Sequence, residues 1–176
     1  MKNLLFLLMF VLLLSGAVFG QCREYSPATS KLVFCPPANW KGWQEKDSKF
    51  LTFGDKMPNE PGAGTSLIVR EGEKLLDIEA TSMIYVKEAM KPEKDMTKSL
   101  IEAADFTTAT GLTGTRFVLL MEVRSPEGIK IPVRQATYMI DSGGKTIYTF
   151  ISTSLAADRA VVAAVDASMK TVRTAK

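Results

Sequence analysis

The stretch from Thr115 to Thr153 constrains the fold more than any other part of the chain. Thr115 to Arg124 alternates Phe117, Leu119, Met121 and Val123 with a second face of Arg116, Glu122 and Arg124, shared with Val118 and Leu120. Ser125-Pro126-Glu127-Gly128 then places proline second and glycine fourth, as a type I turn prefers. Ile129 to Ile140 reads as another strand, Asp141-Ser142-Gly143-Gly144 as a turn, and Lys145 to Thr153 as a third strand. Strands joined by such short turns pair antiparallel, because a parallel pair needs a crossover of about a dozen residues or more.

The rest of the chain supplies the cover for that meander. Lys31 to Cys35 reads as a short strand stopped by Pro36-Pro37, which cannot donate to a ladder. Lys49 to Phe53 and Thr65 to Arg70 read as two more strands, separated by a loop from Gly54 to Gly64 that is rich in proline and glycine. Leu75 to Met90 changes period: Leu76, Ala80, Met83 and Ile84 fall on one helical face, and Pro92 stops the helix. Lys98 to Thr110 mixes helix-favouring alanines with Phe106-Thr107-Thr108, and a strand is expected in its C-terminal half. Ser154 is placed to cap a last helix in which Val161, Ala164, Val165 and Val172 recur. Strands, helix, strands, helix in that order predict an α+β fold of one domain, mainly antiparallel sheet flanked by helices, over residues 21–176.

The first 20 residues stand outside that domain. Met1 to Gly20 carries one charge, an apolar run from Leu4 to Leu14 and a small-residue end, the pattern of a secretory signal peptide. The run of about 11 residues falls short of the roughly 20 that cross a bilayer, so no transmembrane helix is expected in the mature chain. Cleavage after Val18-Phe19-Gly20 starts the mature chain at Gln21, in the periplasm or outside the cell. Cys22 and Cys35 lie 13 positions apart in a chain bound for an oxidising compartment, which predicts a disulfide. Lipidation of Cys22 is the alternative: it would require Gln21 where a small residue is expected, and would leave Cys35 unpaired. A lipid anchor through Cys22 is therefore not the expected state.

Phe34-Cys35-Pro36-Pro37-Ala38-Asn39-Trp40, Gly111 to Leu119, Thr146 to Phe150 and the helix after Ser154 together resemble the PsbP-like superfamily. That group includes PsbP, the Mog-type Ran-binding proteins and exported bacterial proteins of the DcrB kind. The resemblance is one of element pattern across nearly the whole mature chain. It implies an α/β/α sandwich with accessory or binding roles and no established catalysis, and it supplies no active site to carry over.

The residues themselves exclude much chemistry. The chain has no histidine, which removes Ser-His and Cys-His nucleophile pairs and imidazole metal sites. The formal charge of +3 is scattered, without the basic stripe that nucleic acid selects. Gly144-Lys145-Thr146 imitates a phosphate-binding loop, but Met139 stands where the first glycine belongs and a strand follows. Ser142 and Lys145 match Ser-x-x-Lys only across a hairpin turn, without the helix that brings such a pair together. Glu71 with Glu73 and Glu93 with Asp95 sit in polar stretches and read as solvated turns. No catalytic residue, metal site or cofactor is expected.

What remains is binding. The expected partner is another secreted protein or an envelope component, with a small-ligand or lipid carrier as the alternative. Candidate contacts are Met57, Pro58 and Pro61 in the Gly54 to Thr65 loop, where proline limits the entropy lost on ordering, and the aromatic pair Trp40 and Trp43.

Overall fold

The computed structural model describes residues 22–27, 30–44, 50–60, 64–125 and 127–175. Met1 to Gly20, where a signal peptide is expected, and Gln21, Lys49, Pro61, Gly62 and Pro126 lie outside the described residues. The strands are β1 (Leu32–Val33), β2 (Lys41–Trp43), β3 (Leu51–Gly54), β4 (Ser66–Glu73), β5 (Met96–Thr107), β6 (Thr113–Arg124), β7 (Lys130–Asp141), β8 (Thr146–Leu155) and β9 (Arg173–Thr174). Two helices accompany them, α1 (Ile78–Ala89) and α2 (Arg159–Lys170).

Seven strands form one antiparallel sheet in the order β2-β3-β4-β8-β7-β6-β5, and β1 pairs separately with β9. The expected meander is β6-β7-β8, its turns closed by Gly128 N–H donating to Ser125 O at 2.8 Å and by Ser142 N–H donating to Thr146 O at 3.1 Å. Gly128 and Gly143 both have φ near +80°, which only glycine adopts without strain (81° and 79°).

Both faces of the sheet are covered, and the strand alternation shows how. Val118, Ala136, Tyr138, Ile140 and Phe150 point to one side and pack with Val165 and Met169 of α2. Phe117, Met139 and Ile147 point to the other and pack with Ile78, Tyr85 and Val86 of α1. The result is an α/β/α sandwich. It explains why β6 is apolar on both faces: Phe117, Val118 and Leu119 are all within 2% of complete burial.

Several expectations are corrected. Helix α1 begins at Ile78, capped by Asp77, whose carboxylate accepts from Ala80 N–H at 2.7 Å, so Leu75 and Leu76 precede it. Its packed stripe is Ile78, Ser82, Tyr85 and Val86, whereas Met83 and Ile84 of the expected apolar face are 67% and 53% exposed. Ser82 is why the two stripes were confused: a polar residue sits in the middle of the packed one, where its hydroxyl donates to Ile78 O and meets the hydroxyl of Thr115 on β6. Ser154 does not cap α2. It is a buried residue of β8, and Asp158 caps the helix by accepting from Val161 N–H at 3.1 Å. Val172 follows the helix, which ends at Lys170. The Lys98 to Thr110 stretch is strand from Met96 onward, not only in its second half.

Candidate functional site

Two of the sites suggested by the sequence, the Met57 turn and Trp43, share the β2 edge of the sheet. Lys41 of β2 bonds Glu60 at 2.8 Å, and Glu60 also accepts from Met57 N–H at 3.1 Å, so the Met57–Glu60 segment is a turn fastened to β2. Those bonds hold the Glu60 carboxyl below the usual carboxylate range, Lys41 first and the Met57 N–H second. Met57 is half-buried and Pro58 exposed. Trp43 lies over Gly54, where an added Cβ would come within 2.9 Å of the indole ring. Trp40 points elsewhere and packs against the core. The loop and Trp43 therefore share one corner, and Trp40 is not part of it.

Cys22 and Cys35 are joined, with Cα atoms 5.6 Å apart. Cys35 is held in turn by α2's C-terminal end: its N–H donates to Thr171 Oγ1 at 2.8 Å and its carbonyl accepts from Ser168.

A larger feature, missed from the sequence, lies at the opposite edge. Helix α1 packs over β6 and β7 and stops short of covering β5, which opens a groove of about 660 Å³ between them. Glu79, Met83, Val86, Lys87 and Met90 form one wall, a single stripe along α1. Leu100, Ala103 and Asp105 form the other, with Phe117 at the base. Leu100 and Ala103 are three apart and would face opposite ways in a regular strand. The register shift between Leu100 and Glu102 puts both on the groove side, opposite Leu119 and Phe117 respectively. Alanine at 103 is what leaves the space. The one sequence signal for this groove was the surplus apolar stripe on α1, read as a core face.

Both walls are fixed. Lys98, 9% exposed, donates to Ala89 O at 3.0 Å and pairs with Glu93, holding the C-terminal end of α1 against β5. On the other face of the sheet Arg116 of β6 pairs with Glu102 of β5, donates to Tyr138 Oη at 3.1 Å and lies 3.3 Å from Asp166 of α2. Burial opposes the charge on Arg116, but its bonds to Tyr138 and Glu102 outweigh this and raise its pKa. Tyr138 donates to Asp166, and burial, then that bond, push its phenol pKa up.

The groove is apolar along its length and charged at its ends. Helix α1 runs antiparallel to β5, so Glu79 and Asp105 mark one end and Lys87 the other. Among the described residues no group of three or more Cys, Asp or Glu side chains is placed to hold a metal ion. Such a surface, mainly apolar with charge at its ends, can bind.

No protein-family model matches the chain, and no curated protein matches it in sequence. Solved structures do. The solution structure of cyanobacterial PsbP (CyanoP) from Synechocystis sp. PCC 6803 is similar with a TM-score of 0.55 at 15% identity, over 90% of this chain and 96% of that one. The crystal structure of LpqN, involved in cell envelope biogenesis of Mycobacterium tuberculosis, gives 0.56 at 14% identity, over 89% and 93%. A point mutant of the protein Mog1 gives 0.50 at 11% identity, over 86% of each chain. This chain has the PsbP-like fold.

Proposed function

We propose, from a PsbP-like fold that leaves one groove unfilled, that this is an exported, non-catalytic accessory protein that docks a protein partner or envelope component between α1 and β5. The observation that carries the reading is the groove itself: about 660 Å³ lined mainly by apolar side chains, beside a helix whose Met83 is 67% exposed. Large apolar side chains left on a surface in this way mark interaction sites. Export is supported by the signal pattern of Met1 to Gly20 and by the Cys22–Cys35 disulfide, which belongs to oxidising compartments. LpqN, which shares the fold, is a protein of envelope biogenesis.

The competing surface is the Met57 turn with Trp43. A photo-cross-linking amino acid placed at Met83 in one variant and at Met57 in another decides between them in exporting cells. A protein adduct from Met83 alone is the expected result, and an adduct from Met57 alone would move the site to the β2 edge. The groove volume also falls in the range of small-molecule pockets, roughly 300–1,000 Å³, which favours a second reading as a ligand or lipid carrier. Native mass spectrometry of the purified protein separates the two, since a carrier retains ligand mass that Met83→Glu removes.

A further inference from the structure

The groove borders the open edge of the sheet, and the backbone there states what can fill it. One edge strand, β2, has three residues, whereas β5 has twelve. Thr108 N–H donates to Leu112 O at 2.9 Å and Thr108 O accepts from Gly111 N–H at 3.1 Å, so both main-chain groups of Thr108 turn toward the β6 side where the β5–β6 ladder closes. Antiparallel ladders alternate bonded with non-bonded pairs, and the register places Thr107 opposite Thr113 and Phe106 opposite Gly114. Phe106 and Ala104 therefore bond to β6, while Thr107, Asp105 and Ala103 turn N–H and C=O outward. An independent contact agrees: Thr107 O accepts from Lys170 Nζ, outside the ladder, at 2.6 Å. The outward groups of Asp105 and Ala103 have no protein partner among the described residues, and the side chains of the same two residues face the groove.

Resting on the groove as the docking site, we propose that its occupant is an extended segment of a partner protein that adds to the sheet as a strand antiparallel to β5. The segment bonds through Ala103 and Asp105, and its alternate side chains enter the groove against Met83, Val86 and Phe117. Strand addition of this kind takes affinity from main-chain hydrogen bonds and specificity from alternate side chains. Charge sets the flanks. In the antiparallel direction the segment's N-terminal end lies beside Asp105 and Glu79, which select a cation, and its C-terminal end lies toward Lys87, which selects an anion. A second copy of this chain fits poorly. The same hydrogen bonds would set its Asp105 against Ala103, placing alanine and another carboxylate in a groove that holds Glu79 and Asp105 already.

The test uses a fluorescent peptide, Arg-Thr-Val-Thr-Leu-Thr-Val-Thr-Glu, titrated by anisotropy into the disulfide-bonded protein. Residues facing the groove are those whose amides face β5. N-methylation of the Val and Leu amides should then weaken binding about tenfold or more, because carbonyls on the edge lose their donors. N-methylation of the Thr amides should change it by less than about threefold. Ala103→Pro, which removes an outward N–H at an edge position where proline is tolerated, should weaken the unmethylated peptide similarly. Equal effects of the two methylation sets would overturn strand addition and leave side-chain docking in the groove intact. So would a dimer in sedimentation that Ala103→Pro dissociates, with the second copy then the occupant. Absence of saturable binding up to about 1 mM would also overturn it, and the Met83 cross-link then reports on the groove by itself.

Discussion

Gly114 of β6 lies against the backbone of β7 with no room for a side chain. A Cβ added there would stand 2.0 Å from Met139 O and 2.9 Å from Ile140 Cα, both backbone atoms that no rotamer can move. Gly114→Ala is expected to cost about 3 kcal/mol in a denaturant melt, through forced separation of the strands. Leu119 is 1% exposed, and Leu119→Ala is expected to cost roughly 2–5 kcal/mol in the same measurement. Burial and the bond to Asp166 raise the pKa of Tyr138 above its ordinary 10.0, so above pH 10 the unfolded chain releases a phenolic proton that the native state keeps. Its stabilising contribution is complete below pH 10 and is lost as pH rises toward the native pKa. Thermal melts from pH 8 to 11 should fall on the alkaline side, and Tyr138→Phe should flatten that fall. Tyr25, Tyr85 and Tyr148, shifted the same way chiefly by burial, will leave a residual slope. The alternation that buries Phe117, Leu119 and Met121 was readable from the sequence. The crowding at Gly114 was not, because it depends on what β7 places opposite.

At the scale of elements, periodicity located strands well and chose the wrong face of a helix. The meander appears within one or two residues of its expected limits because each strand alternates and each turn carries its glycine. Helix α1 carries two apolar stripes, and hydrophobicity alone favoured the one without a serine. The stripe that packs is the one whose Ser82 meets a hydroxyl on the sheet. Tyr85→Ala should therefore cost about 3 kcal/mol, whereas Ile84→Ser should cost less than about 0.5 kcal/mol; equal losses in thermal or denaturant melts would contradict the assignment. Strand β5 was ambiguous for the reason that makes it interesting: Ala103 and Ala104 have weak strand preference and also open the groove. Strand β9 escaped notice because two residues carry no period.

The whole molecule follows the expected α+β architecture, with helices on opposite faces of an antiparallel sheet. The sequence pattern could not say which sheet edge stays open, since strand order is a property of pairings far apart in the chain. Export is checked by intact mass: the mature protein should begin at Gln21 and weigh two hydrogens less than its reduced form. A diacylglycerol on Cys22 would refute both. Replacing both cysteines by serine is expected to lower stability by roughly 3 kcal/mol in a denaturant melt.

The segment around that disulfide is closed by residues from far along the chain. Leu32 pairs with Thr174, Ala175 N–H donates to Lys31 O at 2.6 Å, and Arg173 bonds Glu24 at 2.9 Å across 149 positions. Emergence order then matters, because a polypeptide threaded N-terminus first delivers residues 22–35 early and their docking surface late. Cys22 and Cys35 can oxidise while the sheet is still unmade, fixing a small ring that narrows the search once Ser168 and Thr171 arrive. Until they do, Leu32, Val33 and Phe34, all within 3% of complete burial in the finished fold, remain exposed to whatever guards nascent chains. The β1–β9 corner is therefore completed only when residues 173–175 dock on it.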